Sequence, residues 1–174
     1  MNRSGFNLIE LIAAMGVLAI SIPAIVSLFA VAFGQEAHTA NHTRALFLAR
    51  SLMSEIAQRR FREDAGAPGN GADSGEVTTF DRRAFDDIDD YAQFQIWGPL
   101  KPPRDESGNA LATFSDLTQN VEVTNIAAPL PGPAPRINYT AVPAGTTDFK
   151  LVKVSISWDQ GKRHVDLHRI IALP

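Results

Sequence analysis

The feature that most constrains this 174-residue chain is its first third. After a polar leader, Met1-Asn2-Arg3-Ser4, comes Gly5-Phe6-Asn7-Leu8-Ile9-Glu10 and then an uncharged apolar run from Leu11 to about Phe33. About 20 apolar residues span a ~30 Å hydrocarbon layer as a helix, so the run is long enough to cross a bilayer. Glu10 stands alone near its start, and a charge held in lipid costs about 2.5 kcal/mol or more. An acid in that place needs a partner, and the partner decides the reading.

Composition excludes several classes. Net charge is −3, which gives no electrostatic footprint for nucleic acid, and none is expected as a partner. The absence of cysteine removes disulfides, thiolate catalysis and cysteine-ligated metals together. No nucleophile–base set, phosphate-binding loop or metal-ligand spacing emerges, so an enzyme is not expected. The chain has room for one modest globular domain after the apolar segment.

Three readings of the N-terminus compete. A secretory signal peptide has a small-x-small site in Ala30-Val31-Ala32, but its apolar segment is normally shorter than this one and its positive end richer than Arg3 alone. A plain one-span anchor explains the length and leaves Glu10 unexplained. The third uses every residue: Gly-Phe-x-x-x-Glu ahead of a long apolar helix resembles the type IV prepilin signal. That resemblance implies cleavage between Gly5 and Phe6 by a prepilin peptidase, N-methylation of Phe6, and a single-pass protein in the bacterial inner membrane with a periplasmic globular domain. It implies assembly with other pilins or pseudopilins into a type IV pilus, at the cell surface, or into a type II secretion filament. Cleavage would create a cationic amine on Phe6, one helical turn from Glu10. In a stack of axially shifted helices, the amine of one subunit would meet Glu10 of its neighbour. A buried pair of that kind resists breaking and would fix the register. The bland alternative is an acid favoured by the dipole at a helix start.

Within the run, Pro23 denies the Ala19 carbonyl its i+4 donor and predicts a kink, with Gly16 a second weak point. Beyond about Glu36 the pattern becomes amphipathic. Ala45, Leu48, Ala49, Leu52 and Ile56 form one stripe with Met53 beside it, and no proline or glycine interrupts residues 35–61. One helix over 6–61 would be about 84 Å long. Arg59, Arg60 and Arg62 would close it, where cations suit the dipole. His38 and His42 share a helix face without an acidic third ligand, which favours a solvated surface over a metal edge.

Residues 64–79 read as a surface loop. In the segment that follows, Asp86, Asp87, Asp89 and Asp90 surround Ile88. Four hard carboxylates invite a calcium site, yet the spacing is not that of an EF-hand. Phe85, Ile88 and Tyr91 fall three apart, and a helical turn that packs them inward would leave the acids in water, partly neutralised by Arg82 and Arg83. Residues 98–108 form a turn-rich connection. Val121 and Val123 share a face of an alternating segment over 117–126, and Pro129, Pro131, Pro133 and Pro135 make a stiff bridge.

The clearest strand signal comes last. Val152, Val154, Ile156 and Trp158 alternate with Lys153, Ser155 and Ser157, and Asp159-Gln160-Gly161-Lys162 makes a turn. Closing the hairpin there sets Ile156 against Val165 and Val154 against Leu167, and leaves His164 and His168 on the exposed face.

The expected fold is α+β: a leader over 1–5, the membrane and assembly half of a long helix over 6–34, and a domain over 35–174 in which the second half of the helix packs on a C-terminal antiparallel sheet. Residues 45–56, 85–91 and the closing hairpin are similar to the D-type minor pilins of mannose-sensitive haemagglutinin pili, which implies a minor pilin and a link to cell adhesion. Pilins often carry a C-terminal disulfide loop, and this chain cannot form one. No cofactor is expected beyond the calcium reading. The rival function is a membrane-anchored or secreted binding domain with a calcium or sugar site in its loops.

Overall fold

A computed structural model describes residues 7–61, 80–130, 137 and 139–173. Gly5 and Phe6, Arg62, the 64–79 loop and Pro131, Pro133 and Pro135 lie outside the described residues. The architecture is α+β: a long helix α1 (Leu8–Ile56), a single-turn helix α2 (Gln93–Trp97), and strands β1 (Thr118–Asn125), β2 (Phe149–Trp158) and β3 (Arg163–Ala172). The chain divides into two compact units, Met1–Asn41 and His42–Pro174.

In the first unit α1 is apolar on every side. Its side chains are exposed from Leu8 to Phe33, apart from the partly covered Ser21, and none of its most apolar window is buried. The helix runs through Gly16 and on past Pro23 without a break in its assignment. Glu36, His38, Thr39 and Ala40 are exposed as well. The second unit begins at His42, and its first buried side chain is Ala45.

In the second unit the amphipathic stripe is buried as the spacing requires: Ala45, Leu48, Ala49, Leu52, Met53 and Ile56 are each at most 7% exposed. They share a core with Val121, Val123, Val152, Val154, Ile156 and Val165 from the sheet. The sheet is antiparallel in the order β1-β2-β3. Its hairpin has the expected register, Val154 against Leu167 and Ile156 against Val165. Asp159, Gln160 and Gly161 turn the corner with φ of 52°, 56° and 84°, and the Lys162 amide donates to the Asp159 carbonyl at 3.1 Å. β1 meets β2 with Val121 against Val154 and Val123 against Val152.

The C-terminus of α1 departs from expectation. The helix ends at Ile56 rather than near residue 61, with Arg59 and Arg60 beyond its last turn. No local breaker stops it; a competing partner does. The Arg60 amide donates to the Asp86 carbonyl at 3.2 Å, and the Ile88 amide to the Arg60 carbonyl at 3.0 Å. A short parallel bridge to the aspartate segment thus replaces the next helical turn. Phe61 then buries its ring, 8% exposed.

Candidate functional site

The assembly segment foreseen from the sequence is described only in part. α1 opens at Leu8 after Asn7, whose carbonyl accepts from the Glu10 and Leu11 amides at 3.0 and 3.2 Å. Glu10 is the acid of the first turn, and its side chain is exposed. Its expected partner, the amine of Phe6, and the cleavage residue Gly5 fall outside the described residues. Beyond Glu10 the helix carries no charge until Glu36. Ser21 spends its hydroxyl on the Val17 carbonyl at 2.7 Å, so the segment offers lipid or a neighbouring helix an almost wholly apolar surface. A helix of this length and apolarity suits a membrane anchor or a signal sequence.

The four aspartates of the calcium reading are turned to separate duties. Asp87 Oδ1 accepts from the Asp89 and Asp90 amides at 2.6 and 3.2 Å, and Asp90 Oδ2 from the Asp86 and Asp87 amides at 2.8 and 3.0 Å. These bonds fold the segment into the turn that continues as a 3₁₀ helix over Asp89–Ala92. Asp86 pairs with Arg60, and Asp89 Oδ2 accepts from Lys150 Nζ at 2.6 Å. Among the described residues no three His, Cys, Asp or Glu side chains converge on one point as a cation would need.

The turn also corrects the expectation about solvent. Phe85, Ile88 and Tyr91 do pack inward, at 0%, 1% and 0% exposed. Three of the four acids do not face water: Asp87, Asp89 and Asp90 are 2%, 9% and 3% exposed, and only Asp86 keeps part of its side chain in solvent. Amide donors replace the water lost by Asp87 and Asp90, and Lys150 replaces it at Asp89 Oδ2, while the buried Asp89 Oδ1 accepts no hydrogen bond among the described residues. Nor do Arg82 and Arg83 neutralise them, since Arg83 pairs with Asp81 and Arg82 with Glu55. The crowding is felt at Asp87, where burial first and the charges of Asp90 and Asp89 next push the carboxyl above its ordinary range.

Two buried ion pairs, neither foreseen from the sequence, hold the turn in the domain. Lys150, on the inward side of β2, reaches Asp89 and the Phe61 carbonyl and lies 4.4 Å from the centre of the Phe61 ring. Arg82 grips both oxygens of Glu55 on α1 at 2.9 and 3.1 Å, and its side chain is 2% exposed. The Tyr91 hydroxyl donates to Glu55 at 2.8 Å. Burial, then the Glu55 charge, push that phenol far above its ordinary range. A sequence signal for Lys150 was present: it has the parity of Val152, Val154 and Ile156, which puts it inside. Nothing local marks Arg82 over Arg83.

Beside this network runs an open groove of about 930 Å³ between α1 and the 104–119 segment. Leu48, Leu52, Leu111 and Phe114 line its apolar part, and Glu55, Arg59, Arg104 and Glu106 its polar part. Arg59 and Glu106 pair across it at 2.7 Å. Glu55 in its wall is held by Arg82 and the Tyr91 hydroxyl. His38 and His42 are exposed, as are His164 and His168. The His42 ring meets Trp158 edge to face at 6.4 Å.

No known protein family matches the chain, and no curated protein or solved structure matches it either.

Proposed function

We propose that the chain is a pilin-like structural subunit, a minor pilin or pseudopilin of a type IV pilus or a type II secretion filament. One observation carries the reading. A helix exposed and apolar on all sides is interrupted by one acid, in its first turn, and continues into an amphipathic stripe seated on an antiparallel sheet. A soluble domain gains nothing from displaying such a helix to water, whereas a membrane span that later enters a shared helical core uses every side of it.

In this reading a prepilin peptidase cuts after Gly5, the new amine of Phe6 is methylated, and Glu10 accepts the amine of a neighbouring subunit. The anchor sits in the bacterial inner membrane with the sheet domain in the periplasm until assembly. The segments over 45–56 and 85–91 and the hairpin resemble those of the D-type minor pilins of mannose-sensitive haemagglutinin pili, and this resemblance supports a place in that subgroup.

Mass spectrometry of the mature N-terminus tests the reading. A chain that begins at methylated Phe6 is expected; one that begins at Phe33 or retains Met1 would sink it. In the same cells Glu10→Leu should leave membrane insertion intact and strongly reduce the protein in sheared-filament fractions. Undiminished incorporation of that variant would remove the role given to the acid.

A further inference from the structure

The outer edge of β3 has no strand beside it among the described residues, since the sheet order is β1-β2-β3 and the isolated bridges all lie elsewhere. An edge ten residues long offers alternate N–H and C=O groups to any incoming strand, and charge is the usual guard against the wrong one. β3 is guarded in this way by Arg163, Asp166 and Arg169, and by His164 and His168, which donate hydrogen bonds in either state and carry charge when protonated. The order of these charges, however, suits one particular strand. We propose that the β3 edge is a self-association surface, pairing antiparallel with β3 of a second copy about a two-fold axis at Leu167.

The register follows from symmetry. A two-fold axis perpendicular to the sheet keeps each residue on its own face. Residues directly opposite must then share a face, so the axis passes through a residue paired with its own copy. The middle of Arg163–Ala172 lies between Leu167 and His168, and only an axis through one of these pairs nearly the whole strand. An axis at His168 would set that side chain against itself. An axis at Leu167 sets Asp166 against His168 twice, once on each side of the axis. It also places Leu167 on Leu167 and the Val165 side chain beside the aliphatic stem of Arg169.

Neighbouring registers are worse. An axis at Asp166 opposes Asp166 to itself, His164 to His168 and Arg163 to Arg169, all like pairs. An axis at Val165 brings His164 to Asp166 but pairs only half the strand. Opposite charges across a pair of strands favour the contact and like charges disfavour it.

The neighbouring strand adds to the case. His168 stands opposite Lys153 of β2, and Lys153 has Glu122 of β1 at 3.5 Å. Asp166 stands opposite Ser155 and has His164 at 3.8 Å. The carboxylate of a second copy therefore arrives where this chain sets an imidazole beside an ammonium. Backbone pairing supplies the affinity in such strand addition, and the alternate side chains supply the selectivity. The proposal is independent of the filament reading.

Because the chain has no cysteine, a single introduced thiol reports the contact. In the full chain, purified in detergent micelles, Leu167→Cys should cross-link to a dimer under mild oxidation, while Gln160→Cys at the hairpin tip should not. Adding Asp166→Lys or His168→Glu to Leu167→Cys should abolish the cross-link, and adding both should restore it with the charges exchanged. Light scattering on the cysteine-free chain reads the same contact without the Leu167 substitution: two chains per micelle for the natural sequence and the double exchange, one for each single variant. The proposal is overturned by a natural chain that is monomeric, by a Leu167→Cys cross-link that survives either single charge change, or by a dimer mass common to all variants, which would belong to α1.

Discussion

Asp87 shows how a single residue can be necessary to a turn and costly to the fold. Its Oδ1 organises the amides of Asp89 and Asp90, yet burial and two neighbouring carboxylates raise its pKa above 3.8. A carboxyl with a raised pKa in the folded state holds its proton there longer than in the unfolded chain. Its contribution to stability is full below 3.8 and is lost as pH rises through the higher folded value. Asp87→Asn keeps an oxygen for both amides and removes the charge. The variant should be more stable than the natural chain at about pH 7 and should lose most of that advantage at about pH 3.5. Urea unfolding at the two values measures it, and an equal difference at both would show that the charge is not the cause.

Among the elements, the connection before β1 rests on one glycine that cannot be exchanged. Gly108 has φ of +80°, and a Cβ there would lie 3.0 Å from the backbone carbon and oxygen of Phe80. Gly161 in the hairpin has φ of +84° with open space around it. Gly161→Ala should therefore cost only the left-handed conformation, about 1 kcal/mol. Gly108→Ala should cost more, about 2–3 kcal/mol, because the Phe80 backbone must also move. Thermal unfolding of the two variants separates conformation from close approach.

The same elements show what could be read in advance. The helical stripe and the hairpin register were legible because each depends on spacing within one segment: Leu48 to Leu52 to Ile56 along α1, and Ile156 to Val165 around a four-residue turn. The end of α1 was not, because it is set by Asp86 and Ile88, some thirty residues on, which take the Arg60 amide and carbonyl from the helix. The burial of the aspartates was illegible for the same reason. Four acids within five positions look solvated until the amides of their own turn and Lys150, 61 positions beyond Asp89, are seen to bury three of them. Of the proposed assembly segment, Glu10 on an apolar helix could be read at once, because charge and hydropathy are local. The partnership proposed for it is not a property of one chain.

As a whole molecule the protein has two units of opposite character. The first displays apolar side chains to its surroundings. The second buries its own around the stripe of α1 and the valines of the sheet. Since among the described residues the buried core begins at Ala45, with the exposed His42 ring touching it from earlier in the chain, a chain restricted to residues 35–174 should fold cooperatively and stay in solution without detergent. Circular dichroism should give it a melting temperature within a few degrees of the full chain in micelles, where about 1 kcal/mol moves Tm by roughly 3–6 °C at this size. A molten or aggregated product would mean that the first unit contributes to the fold.

Lys150 has a bearing on how quickly the domain comes apart. Its two contacts reach back 61 residues to Asp89 and 89 residues to Phe61, while the hairpin it belongs to closes over four residues. Contacts that enclose such long loops bear the largest closure entropy and fall late on the route to the folded state. Removing a late contact leaves the climb from the unfolded chain almost unchanged and shortens the way back. Lys150→Met should lose about 3–5 kcal/mol, as expected when one partner of a buried pair is deleted. In stopped-flow measurements nearly all of that loss should fall on the unfolding limb, with refolding hardly slowed. Lys150 would then act as a latch that governs the lifetime of the native domain and plays little part in its formation.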